Sequence, residues 1–96
     1  MCFLDIYFFE LKLKSNSTIV FIYNSFNDPL FQNIVLSYIK TLGLEGDYTF
    51  HVITFEQDKY SLTENEKRKV RMDLNESKIY WYPLTFHTGY LLLLKK

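Results

Sequence analysis

The side chains best suited to chemistry in this sequence are Asn24, Ser25, Asn27, Glu56 and His87. Amide, hydroxyl, carboxylate and imidazole groups are the types that hydrogen-bond polyols. Each of the five falls in a polar stretch just after an apolar run. The unperturbed imidazole titrates near neutrality, so His87 suits a proton shuttle or a hydroxyl contact. The same residue types also serve plain turns, because Asn and Ser bond their own backbone. Both readings fit the pattern, and no catalytic residue stands out. His51 lies inside an apolar run and reads as a sheet-face histidine. Cys2 has no base beside it and reads as no nucleophile. Two His with Glu56 and Asp58 lack metal-ligand spacing, so neither a metal nor a cofactor is expected.

Phosphate motifs are missing as well. Neither G-x-G-x-x-G nor the G-K-[ST] ending of a P-loop occurs. Asp28 also sets a negative charge at the helix N-terminus where a phosphate would otherwise sit.

The elements that must position these residues follow from patterning. Residues 18–23 form a continuous β-branched and aromatic run, as in a strand covered on both faces. Asp28-Pro29 is a helix start, with Asp as N-cap and Pro at the first helical position. Phe31, Ile34, Val35, Tyr38, Ile39 and Leu42 then recur at helical spacing, and Gly43 supplies the stop. Residues 48–55 read as a second strand. Ser61-x-x-Glu64 and Thr63-x-x-Glu66 are overlapping capping boxes, which start a charged helix running to about Ser77. Its apolar stripe is thin: Leu62, Val70 and Leu74. Residues 79–82 read as a third strand stopped by Pro83, and Tyr90 as the opening of another helix. The order is β-α-β-α-β, a half-Rossmann unit with a parallel sheet, truncated in the following helix. In such a sheet ligands bind beyond the carboxyl ends of the strands, where the five polar residues lie.

Composition sets the limits. The 96 residues make one domain at most. Eleven Lys and Arg balance eleven Asp and Glu, so no net field draws the chain to nucleic acid. Aromatics reach 19%, which favours strands, while three Gly and two Pro are too few for the turns of an all-β domain. Lys67, Arg68, Lys69 and Arg71 form a basic run that Glu64, Glu66 and Asp73 offset. It reads as a solvated face, with a membrane-headgroup contact as the alternative. The apolar start, residues 1–17, is interrupted by Asp5, Glu10, Lys12 and Lys14, and is expected to be an extension outside the parallel sheet. An isolated chain with an unpaired sheet edge is expected to be marginal and to associate.

Residues 23–33, 50–57 and 79–87 resemble the start of bacterial group-1 (family-4-type) glycosyltransferases of the GT-B fold. The likeness covers residues 18–96. It implies an incomplete Rossmann-like N-terminal domain on the acceptor side of a cleft. Asn24, Ser25, Asn27, Glu56 and His87 would then line the site for a saccharide or lipid-linked acceptor. The nucleotide-sugar would bind only with a C-terminal domain that these residues do not include, so the chain alone would be inactive. A cytoplasmic location, with peripheral contact at the inner membrane face, follows from the same likeness. The rival expectation, from a different class, is a small non-enzymatic α/β binding or interaction module.

Overall fold

The computed structural model describes residues 9–13, 16–22, 28–44, 46–54 and 61–95. The chain runs through β1 (Phe9–Lys12), β2 (Thr18–Ile22), α1 (Pro29–Leu42), β3 (Tyr48–Thr54), α2 (Glu64–Asp73), β4 (Tyr80–Pro83) and β5 (Gly89–Lys95). The strands form one five-stranded sheet in the order β1-β2-β3-β5-β4.

α1 begins where the sequence marks it. The Asp28 carboxylate accepts from the Leu30 N–H at 2.9 Å, and Gly43 closes the helix at φ 68°. Its buried face is Phe31, Val35 and Ile39. These pack on Ile19, Phe21, Phe50, Val52, Leu91 and Leu93, one face of the sheet. Burial of each such side chain contributes roughly 1.5–3 kcal/mol. On the opposite face Leu62 and Val70 pack on Ile22, Ile53, Tyr90, Leu92 and Leu94. Alternate residues of β3 and β5 therefore serve opposite faces, and both faces are apolar.

α2 starts at a complete capping box. The Glu66 N–H donates to Thr63 Oγ1 at 3.2 Å, and the Thr63 N–H donates to Glu66 Oε1 at 3.0 Å. Of the two overlapping boxes, the later one is used. The helix ends at Asp73, short of the expected Ser77. Asn75 takes the left-handed conformation at φ 53°. Its N–H reaches the Met72 carbonyl at 3.0 Å, and the Glu76 N–H reaches that of Arg71 at 2.9 Å. This is a Schellman stop, with Asn in the place glycine usually holds.

The sheet is mixed, which corrects the fully parallel half-Rossmann expectation. Among the described strands only β2 and β3 pair in parallel. β1 pairs antiparallel with β2, and β5 pairs antiparallel with both β3 and β4. The expected third strand does not touch β3, because β5 is inserted between them. Two consecutive antiparallel steps nevertheless leave β4 running in the same direction as β2 and β3. The carboxyl ends of these three strands thus lie on one side of the sheet, as the parallel reading expects. The strand positions are wider, with β4 two spacings from β3, roughly 10 Å rather than 5.

Two further expectations are corrected. The run from Tyr90 is not the start of a truncated helix. Residues 90–94 are all buried, and they pair with β3 on one side and β4 on the other. An unbroken apolar run suits a central strand because both of its faces are covered. Likewise Phe9–Lys12 does not lie outside the sheet but forms its edge strand. Leu11 turns to the α1 face while Glu10 and Lys12 are exposed, the alternation of a half-covered edge.

Candidate functional site

The strand-end edge is the first place to look. Of the five residues expected there, Asn24, Ser25, Asn27 and Glu56 lie outside the described residues. His87 is described, on the 84–88 connection between β4 and β5. Its Nδ1 lies 3.0 Å from the Thr88 carbonyl oxygen. A carbonyl only accepts, so Nδ1 carries the proton in that bond. The ring stands edge-on to Phe31, with centroids 5.8 Å apart, and Phe86 meets Phe31 in the same manner at 5.7 Å. Half-buried His87 therefore belongs to an aromatic knot that fastens the β4–β5 connection onto the first turn of α1. Among the described residues no group of three or more His, Cys, Asp or Glu is placed to hold a metal ion.

His51 occupies the middle of β3, opposite Val20 on β2 and Leu92 on β5. It is buried, and its Nδ1 has no hydrogen-bond partner among the described residues. Burial alone pushes its pKa down from 6.5 to about 4, because the charged imidazolium cannot be solvated there. It is a neutral core residue, as the sequence implies.

A second place lies at the opposite end of β4, where α2 turns into the strand. Two adjoining hollows open there. One of about 500 Å³ is lined by Arg68, Arg71, Met72, Asn75, Glu76 and Ser77. The other, about 310 Å³, is lined by Arg71, Ser77, Lys78, Ile79 and Tyr80. Arg71 joins them into one shallow groove.

The basic run of α2 reaches this groove only in part, because its members have three different fates. Lys67 lies over the rings of Trp81 and Tyr90, at 5.4 and 6.0 Å from their centroids. Lys69 pairs with Asp73 one turn on, at 3.6 Å. Arg68 and Arg71 point elsewhere and, with Lys78, form no ion pair among the described residues. The carboxylate in the groove wall, Glu76, accepts the backbone N–H groups of Ser77 and Lys78 at 3.0 and 3.2 Å. The turn fixes its position and it forms no ion pair with the cations among the described residues, but its negative charge stays in the groove wall. Met72 and Tyr80 are among the most exposed large apolar residues, at 74% and 59%.

Sequence reasoning grouped these cations as one solvated face and did not connect them to Lys78. The signal was the seven-residue separation of Arg71 and Lys78 across a helix stop, which folds back on itself. No family model, curated protein or solved structure matches this chain. No helix among the described residues is long and apolar enough to cross a membrane.

Proposed function

We propose that this chain is a non-enzymatic interaction module that binds an acidic protein segment in the groove between α2 and β4. One observation carries the reading: Arg68 and Arg71 line one hollow with exposed Met72, Arg71 and Lys78 line the adjoining one with exposed Tyr80, and none of the three cations has an acidic partner among the described residues. In a chain of zero net charge, three cations without an acidic partner among the described residues outnumber the one carboxylate of the groove wall, Glu76, and leave a local excess of positive charge. Long-range attraction of an acidic segment and apolar contact on arrival then act together. The groove is shallow, so it suits a chain segment lying across it rather than an engulfed small molecule.

The acceptor-binding reading by resemblance to glycosyltransferases finds less support. It places the second and third strands side by side, and the inserted β5 sets β3 and β4 a strand further apart. His87, the described member of that set, is engaged by its own connection and by Phe31.

The test is fluorescence anisotropy with a labelled seven-residue peptide of alternating Glu and Val, against its Lys-Val counterpart and against vesicles rich in phosphatidylserine. The acidic peptide is expected to bind with Kd on the order of 100 µM, weakening as salt is raised. Arg71→Glu and Lys78→Glu should each weaken it about tenfold or more, as a reversed charge repels the ligand. Equal binding of both peptides, or binding to vesicles alone, overturns the reading.

A further inference from the structure

The groove runs up to the free edge of β4, and the backbone there is not uniform. The Leu84 N–H donates to the Gly89 carbonyl at 3.1 Å. These two residues continue the β4–β5 register, in which Tyr80 faces Leu93 and Pro83 faces Tyr90. In an antiparallel ladder, hydrogen-bonded and non-bonded pairs alternate. Leu84, Tyr82 and Tyr80 therefore spend their backbone groups on β5. Trp81 and Pro83 turn theirs outward, to the side where no strand lies among the described residues.

The two outward positions differ. Pro83 has no N–H to offer, and its carbonyl already accepts from the Tyr38 hydroxyl at 2.7 Å. That half of the edge is closed to a further strand. At Trp81 both outward groups are open among the described residues. The open half is the one beside Lys78 and Arg71, because the smaller hollow is lined by Ile79 and Tyr80.

We infer that the partner segment adds to the sheet as a short strand along the open half of β4, centred on Trp81. Its acidic side chains then meet Arg71 and Lys78, and its course ends where Pro83 and Tyr38 block the edge. Main-chain hydrogen bonds hold such a segment and side chains select it. The inference rests on the groove being the binding surface, and it adds a backbone geometry that charge attraction alone does not require.

The experiment uses the acidic Glu-Val peptide, its two alternately N-methylated isomers, and amide hydrogen exchange of the full chain by NMR. In a strand only alternate peptide N–H groups face β4. One methylated isomer should therefore lose at least tenfold in affinity while the other stays close to the parent. On adding the parent peptide, the Trp81 amide should gain at least tenfold protection, whereas the Tyr82 amide, already bonded to β5, should change little. Arg71-dependent binding in which both isomers behave alike and Trp81 gains no protection overturns strand addition and leaves the groove reading standing. Absence of parent-peptide binding overturns both. A chain that self-associates through Trp81, with the amide protected in proportion to protein concentration rather than to peptide, also overturns the inference.

Discussion

Protonation of His51 gives a prediction whose size can be worked out. The ring is buried in the central strand between Val20 and Leu92, with Nδ1 unpartnered among the described residues. Its pKa is about 4 in the fold against 6.5 when exposed. The unfolded chain therefore binds a proton through a range in which the folded one does not. Stability is at full strength above the unfolded value and falls as the solution is acidified towards about 4. The gap of about 2.5 units corresponds to roughly 3 kcal/mol, of which about 2 is lost by pH about 5. Loss of solvation on burial is the cause of the shift. Carboxylates elsewhere also lose charge in acid, so the measurement is a difference. Urea unfolding of the wild type and of His51→Leu, between about pH 8 and pH 5, should show the variant losing about 2 kcal/mol less. Above about pH 7 the variant should be at least as stable, because an orphaned buried nitrogen is removed. Parallel pH profiles, or an imidazole that titrates near its ordinary value in the folded protein, would refute the reasoning.

Gly89 opens β5 at φ 154°, and a Cβ there would stand 2.0 Å from the Ile53 carbonyl oxygen. Backbone cannot swing aside, so Gly89→Ala should cost on the order of 3–5 kcal/mol in urea unfolding; a change under about 1 would contradict the close approach. At the α2 stop, Asn75→Ala should destabilise by about 1 kcal/mol and Asn75→Gly should be neutral or stabilising, since φ 53° suits glycine. Thermal midpoints in the reverse order would remove the Schellman account. Tyr38→Phe should lose about 0.5–1 kcal/mol with the bond to the Pro83 carbonyl. The same variant should leave self-association unchanged by sedimentation, because Pro83 still offers no N–H at that half of the β4 edge.

Features set by local chemistry were readable from the residues. The Asp28-Pro29 start, the spacing of Phe31, Val35 and Ile39, the Gly43 stop and the Thr63–Glu66 box all lie within α1, α2 and their immediate flanks. What was misread depended on partners far along the chain. A run of four leucines after Tyr90 carries no period, and leucine is a good helix former, so periodicity could not separate a buried strand from a helix. Its neighbours, β3 and β4, decide the matter. β1 was misjudged for a different reason. Its charges exclude a doubly covered strand, but the alternation of Leu11 with Glu10 and Lys12 fits an edge strand with one face covered. The α2–β4 groove was hidden because the basic run appears uniform until Trp81 takes Lys67 and Asp73 takes Lys69.

The insertion of β5 has a consequence for how the molecule comes together. β1, β2 and β3 form one hydrogen-bonded set, β4 and β5 another, and a single seam joins them, the seven pairs from Tyr48–Lys95 to Thr54–Gly89. The β4–β5 hairpin closes over a short connection and forms on the microsecond scale, whereas the seam joins residues far apart in sequence and is slow to find. The parallel β2–β3 pairing joins residues 31 apart and the seam residues 35 to 47 apart, so both long-range ladders are expected to form after the hairpin. Severed between Thr54 and Ser61, the chain would become two complementary fragments, each with one side of the seam, and their reassociation would report directly on whether that seam is intact.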